Sequence, residues 1–281
     1  MKRITILLAG ICMALTGLAQ TDSTKQQEAD TIRVGNMIII KRRGEQNHEE
    51  RTYRIDRHEA RIYRRNNYKP KNIETNWGIV DIGFANYNDK TEYGSGEAAL
   101  FAPGLVKGDF RLITGKSSNV SVWVVMQRMN LIEHVVNLKY GVGFESINYR
   151  YKRPLKYLTD PQTLVIKDVS TEYEKNKLVT EYVTVPLMMN FNFTPKREKG
   201  FGFSVGASAG YLYASRQKTI TEADGKRKKR DDFDLRPWKI SYIAELNLGP
   251  VILYGSYARE SMFEKGLDQI PYAVGIRLAN W

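Results

Sequence analysis

From residue 77 to residue 281, apolar and polar residues alternate in eight short runs, and the gaps between the runs switch strictly between long and short. The runs are 77–87, 119–129, 136–150, 178–193, 200–213, 238–248, 251–259 and 271–281, with gaps of about thirty, six, twenty-seven, six, twenty-four, two and eleven residues. A period of two puts successive side chains on opposite faces of a strand. An even set of antiparallel strands, with tight turns at one end and long loops at the other, closes into a barrel. Such a barrel is one of only two structures that satisfy every backbone polar group inside a bilayer. The expected order puts the long loops outside the cell and both ends of the barrel chain in the periplasm.

Alternation within the runs says which face meets lipid. In run 200–213, Phe201, Phe203, Val205, Ala207, Ala209, Tyr211 and Tyr213 share one parity, and Gly202, Ser204, Gly206, Ser208 and Gly210 share the other. Large residues would face acyl chains, and small ones a narrow lumen, where eight strands leave room only for packed side chains. Ile240, Tyr242, Ala244, Leu246 and Leu248 oppose Ser241, Glu245 and Asn247 in the same way. So do Val136, Leu138, Tyr140, Val142 and Phe144 against Asn137, Lys139, Gly141, Gly143 and Glu145, and Tyr272, Val274, Ile276 and Leu278 against Gly275 and Arg277. Runs 119–129 and 251–259 alternate less cleanly. A soluble sandwich or lipocalin-like carrier would also alternate, but it would turn the large residues inward and leave the Gly/Ser face in water.

The N-terminal residues read differently. Lys2 and Arg3 precede the apolar stretch from Ile4 to Leu18, which ends in small residues, so residues 1–19 are expected to be a signal peptide cut before Gln20. Cys12 lacks the small preceding residue of a lipoprotein site, since Ile11 stands there. Its removal would leave a chain without disulfides. Residues 20–76 then form a periplasmic extension, with a hairpin at 31–40 around Gly35-Asn36 and a charged strap at 45–69. Residues 77–281 form the barrel domain. Mean hydropathy of −0.45 excludes a helical membrane bundle. The formal charge of +12 is spread along the chain, with 13 Lys/Arg against 9 Asp/Glu in residues 20–76.

Ala19-Gln20, the run Val183-Thr184-Val185-Pro186-Leu187-Met188-Met189, the Gly-rich stretch Gly202 to Gly210, and the aromatic terminus stand out together. With them the chain resembles the eight-stranded outer-membrane β-barrel family of Bacteroidota-type bacteria that includes PorT-like proteins. That resemblance implies a non-enzymatic accessory of an envelope secretion or assembly machine. Pro186 removes a ladder donor, so a bulge is expected there. Trp281 is one residue out of phase with Leu278 and Ile276, which a bulge near Ala279-Asn280 would repair.

Asp81, Lys139, Glu145, Glu245 and Arg277 share the inward parity on four runs and are expected to converge in the lumen. Buried charges must pair, so a structural network is favoured over a proton or ion relay. Outer-membrane hydrolases and acyltransferases need a His beside a carboxylate near the outer rim. Here His48 and His58 lie in the extension, and His134 sits with Glu133 in the short turn at the opposite end. Neither metal-ligand spacing nor a phosphate-cradling glycine loop is present, and Gly94-Ser95-Gly96 reads as a loop signal only. No catalytic, cofactor-binding or metal residue is therefore expected.

Lys226-Arg227-Lys228-Lys229-Arg230 resembles a nucleic-acid patch, but an exported protein does not meet nucleic acid. Lying between Glu222/Asp224 and Asp231/Asp232/Asp234, it reads as a self-neutralised loop tip, with contact to lipopolysaccharide phosphates as the functional alternative. Trp77, Trp238 and Trp281, together with 17 Tyr, suit interfacial aromatic belts.

The fold expected is therefore all-β, an eight-stranded antiparallel up-and-down transmembrane barrel in the outer membrane. Its interior is expected to be filled, its partners outer-membrane lipid and a periplasmic protein held by residues 20–76. The alternatives are an outer-membrane lipid- or peptide-modifying enzyme and a soluble lipocalin-like carrier.

Overall fold

The computed structural model describes residues 30–34, 37–41, 69–197 and 200–278. The signal peptide, His48, His58, Trp281 with its phase, and the charged strap up to residue 68 lie outside these. Strands β1 (Asp30–Val34) and β2 (Met37–Lys41) pair as an antiparallel hairpin within a unit of their own. The second unit is built on eight long or medium strands. These are β3 (Ile73–Asp89), β4 (Ser118–Ile132), β5 (Val136–Arg150), β8 (Lys175–Asn192), β9 (Phe201–Thr221), β11 (Trp238–Leu248), β12 (Ile252–Ala258) and β13 (Gln269–Leu278). Each pairs antiparallel with the next, and β13 closes on β3 from Gln269↔Asp89 to Leu278↔Val80. Closure leaves the ring without a free edge. Among the described residues, no helix is long and apolar enough to cross a membrane.

Runs 136–150 and 238–248 coincide with β5 and β11, and the other six overlap their strands. The outward parity is the expected one. Val205, Phe84 and Tyr242 are 45%, 61% and 62% exposed, while Ser204, Ser208 and Ser241 are buried. Large apolar side chains thus point away from the barrel axis, the reverse of a lipocalin-like carrier. Aromatics mark both edges of this band. Phe191 stacks on Phe203 at the short-turn end, and Tyr211 meets Trp238 edge-on at 5.0 Å toward the loop end. Eight residues along β9 separate Phe203 from Tyr211, roughly 20 Å once strand tilt is allowed for, close to the height of a lipid-facing apolar band.

The poor alternation of run 119–129 has a local cause. Register against β5 slips between Trp123 and Val125, so Val124 is the extra residue of a bulge. Ser121 and Trp123 face inward before it and Met126 after it, which breaks the period of two. Pro186 departs from expectation. Its register with β9 is continuous through Pro186↔Ser208, and the bulge of that pairing sits at Glu181/Tyr182 instead. Against β5 the pairs lapse opposite Gly141 and Val142 with no change of register. The missing donor is absorbed as a short gap in one ladder, so no extra residue is needed.

Glycines on the inner parity let bulky neighbours cross the lumen. Gly275 lies directly opposite Gly83, and a Cβ on Gly275 would come within 2.5 Å of the Gly83 Cα and 2.7 Å of Tyr254 Cε1. Gly275→Val is expected to destabilise the barrel by about 1–3 kcal/mol through overpacking at the β13–β3 seam. A lowered temperature for the gel shift between unboiled and boiled forms in detergent is the readout; an unchanged transition would contradict it.

β8, with 18 residues, and β9, with 21, exceed the 9–11 or so that a tilted strand needs to cross a bilayer. Their upper halves therefore project beyond the apolar band. The long connections fold over that end instead of trailing. They contain the short helix α1 (Gly96–Phe101), the hairpin β6 (Leu155–Leu158) and β7 (Leu164–Lys167), and β10 (Gly225–Arg230), which folds back on β9. Gly94-Ser95-Gly96 is thus the entry to α1, and the basic run at 226–230 is a strand and not a loop tip.

Candidate functional site

Two layers fill the inside of the ring. The lower layer is ionic. Arg277 on β13 stands directly opposite Asp81 on β3, and its guanidinium grips that carboxylate through Nε at 2.6 Å and Nη2 at 2.7 Å. Its Nη1 donates to Glu245 on β11, and Lys139 from β5 reaches the other Glu245 oxygen at 2.5 Å. Trp123 Nε1 donates to Asp81 at 2.7 Å. All five charged residues that the sequence assigned to the lumen are buried there. Four of them, Asp81, Lys139, Glu245 and Arg277, form one continuous chain.

Glu145, the fifth, has a different partner. Lys239 on β11 meets it at 2.5 Å, Asn119 Nδ2 donates to it at 2.8 Å, and the Tyr254 hydroxyl donates to Asn119 Oδ1 at 2.7 Å. Lys239 also sits 4.8 Å from the centre of the Tyr182 ring. Sequence reasoning missed Lys239, although it shares the parity of Ser241 and Glu245. Its position at the start of the strand hid it among loop-like charges. With Lys239 included, Asp81, Glu145 and Glu245 balance Lys139, Lys239 and Arg277. Full pairing is what a low-dielectric interior demands, because one unmatched charge there costs several kcal/mol. A cavity of about 40 Å³ remains beside Asp81, Trp123, Glu145, Lys239 and Arg277, room for a water or two.

The upper layer is aromatic, and no periodicity in the chain announces it. Tyr87, Tyr149 and Tyr182 from the strands meet Phe101, Phe110, Tyr157, Phe233 and Phe263 from the four long connections in one buried cluster. Tyr157 lies at its centre, fully buried. Its ring meets Phe233 edge-on at 5.5 Å, its hydroxyl is 2.6 Å from that of Tyr151, and its N–H donates to Gln217 Oε1 at 3.1 Å. Lys229 Nζ donates to its carbonyl at 3.2 Å, tying β10 to this core. Burial pushes the Tyr157 phenol well above its ordinary pKa, so it stays neutral.

Ionic contacts clasp the connections to one another. Lys167 on β7 meets Asp109 from the β3–β4 connection at 3.1 Å. Burial acts to raise the Asp109 pKa, but Lys167 and the Val106 N–H outweigh it and hold the carboxyl below its usual range. Asp168 is held down to about 2, chiefly by the Ser170 hydroxyl and also by Tyr173. A depressed folded pKa means that Asp168 steadies its loop fully above the ordinary carboxylate value of about 3.9 and loses that effect as pH falls toward 2. Ser170→Ala is expected to raise the Asp168 midpoint toward the ordinary value, as a carboxyl-carbon NMR titration would register. A midpoint left at about 2 would contradict the assignment.

None of these groups makes a nucleophile and base pair. Glu133 and His134 both adopt positive φ, 46° and 58°, in the two-residue turn between β4 and β5, closed by Val135 N–H to Ile132 O at 2.9 Å. Among the described residues, no cluster of three His, Cys, Asp or Glu could hold a metal ion. Lys226, Lys228 and Arg230 lie exposed on one face of β10, while Arg227 pairs with Asp224 at 2.5 Å and Lys229 turns to the aromatic core.

A family model described as "Outer membrane protein beta-barrel domain" matches residues 76–258. Among solved structures, Ail, the attachment invasion locus protein of Yersinia pestis, is similar at 12% identity and a TM-score of 0.27, over 72% of this chain and 100% of that one. That score is too low to build on. No curated protein sequence matches the chain. The family match covers seven of the eight ring strands, from β3 through β12, and the outward apolar band they carry, so the chain belongs to the outer-membrane protein β-barrel domain family and resides in the outer membrane.

Proposed function

We propose that this protein is a non-enzymatic, closed barrel that serves as an accessory to an envelope secretion or assembly machine. The long connections face outward from the cell, and residues 20–76 reach into the periplasm. The observation that carries closure is the pair of stacked layers inside the ring, a charge-balanced network beneath an aromatic core drawn from all four long connections. A conducting pore needs unpaired polar groups along an open path, and here the inward charges are spent on one another. The same saturation disfavours an outer-membrane hydrolase, whose base must be free to take a proton.

Two measurements test the reading. Purified protein in planar lipid bilayers is expected to give no steady conductance, and a stable ohmic level would refute closure. Deleting residues 20–72, which stops short of β3, is expected to leave the boiling-dependent gel shift intact while abolishing capture of a periplasmic protein that the whole chain retains. A partner retained equally by the deleted chain would refute the role of the extension. The PorT-like part of the reading is supported by the resemblance carried by Ala19-Gln20, the run Val183 to Met189, the stretch Gly202 to Gly210 and the aromatic terminus.

A further inference from the structure

Strand pairing beyond the membrane band assembles a cationic row that the sequence scatters over some eighty residues. Arg150 on β5 stands directly opposite Lys177 on β8, Lys177 opposite Lys218 on β9, and Lys218 opposite Lys228 on β10. Four cations thus lie side by side on the outer face of four adjacent strands, spanning roughly 15 Å at the usual strand spacing. Lys175 and Lys226 flank Ile220 beyond the row, and Arg216 faces Arg230 below it. Among the described residues, Arg216 alone of these cations has a carboxylate, gripped by Glu181 through two bonds of 2.8 Å. Among the described residues, none of the four row members forms an ion pair. Arg150 donates to the Glu174 carbonyl and Lys177 to the Asn148 side chain.

Like charges directly opposite each other weaken a sheet, so this arrangement opposes folding unless an anion is present. Its height says which anion. The row lies on the lipid-facing side, on the order of 10 Å past Tyr213 and Phe144, whose edge-to-face contact ends the apolar band. Just beyond acyl chains comes the headgroup layer, where phosphate is concentrated and where each cation adds attraction. The acids that bracket the basic run in sequence do not neutralise this face, because Asp224 pairs with Arg227, whose register partner is Thr219, outside the row.

We propose that Arg150, Lys177, Lys218 and Lys228 form a binding face for the phosphate groups of lipopolysaccharide, seated against the outer wall of the barrel just above the membrane. The proposal rests on the outward orientation of the long connections. Of the five residues in the basic run, only Lys228 belongs to this face, and it acts with partners from three other strands.

The test uses the full chain in phosphatidylcholine nanodiscs, titrated with bisphosphorylated lipid A, with monophosphorylated lipid A, and with phosphatidylglycerol at matched charge. The variant R150Q/K177Q/K218Q/K228Q is expected to bind bisphosphorylated lipid A at least about tenfold more weakly than the parent. K90Q/K265Q, which removes two exposed lysines on the opposite β3–β13 side, is expected to bind as the parent does. Equal binding by the fourfold variant overturns the proposal, as does equal loss in the control, which would mark net charge alone. Phosphatidylglycerol binding with the same sensitivity to the fourfold change overturns the assignment to lipopolysaccharide. The boiling-dependent gel shift shows that each variant is folded. Orientation is read separately, by labelling K228C on whole cells with a membrane-impermeant maleimide. Failure to label refutes the outward reading without touching the nanodisc result.

Discussion

Arg277→Met is expected to lower the stability of the barrel by about 3–5 kcal/mol, the cost of leaving buried carboxylates without their cation. Arg277 closes the seam between the last strand and the first and contacts both Asp81 and Glu245, so its loss strands Asp81 and halves the pairing of Glu245. Lys139 still reaches Glu245, but Asp81 keeps only the Trp123 N–H. Urea titration in detergent micelles, followed by tryptophan fluorescence, measures the change. Arg277→Lys is expected to fall between the two, since an ammonium keeps the charge and loses the fork that holds Asp81 at two atoms. The double change R277M/D81N should recover part of the loss, because the neutral amide at position 81 needs no counter-charge while Glu245 keeps Lys139. A loss below 1 kcal/mol for Arg277→Met would mean that water already solvates the site.

Tyr157→Ala is expected to cost about 3–5 kcal/mol in the loop layer while leaving the ring closed. The phenol side chain fills the centre of a core drawn from all four long connections, and its removal opens a void beside Phe233 and Phe263. Limited proteolysis should cut the variant in its long connections at protease concentrations that spare the parent. The boiling-dependent gel shift should persist, since the ladder around the ring does not depend on Tyr157. Equal protease resistance would mean that the clasps between connections, such as Lys167 to Asp109, hold the layer without it.

These two substitutions mark the boundary between what the amino-acid sequence discloses and what it hides. Asp81, Lys139, Glu145, Glu245 and Arg277 were legible because strand parity is local: each sits an even number of residues from small or polar neighbours that also face inward. Lys239 obeys the same parity, but at a strand's first turn the pattern is too short to distinguish it from a loop charge. Val124 shows the converse, a single bulged residue that shifts the parity of everything after it and makes a real strand look irregular. At Pro186 local chemistry pointed to a bulge, yet the pairing with β9 runs through unbroken and the missing donor costs only a gap toward β5.

The sequence by itself determined the number of ring strands, the alternation of long and short connections, the lipid-facing rows and most of the lumen charges. All of these follow from a period of two applied within one strand, which needs no knowledge of partners. Only the tertiary structure decided the aromatic layer over the loop end and the cationic row above the membrane. Tyr157, Phe233 and Phe263 come from separate connections with no shared period, so their meeting depends on how far each loop folds inward. Arg150, Lys177, Lys218 and Lys228 become neighbours only through the register of three strand pairings, and register is a relation between segments that no single segment encodes.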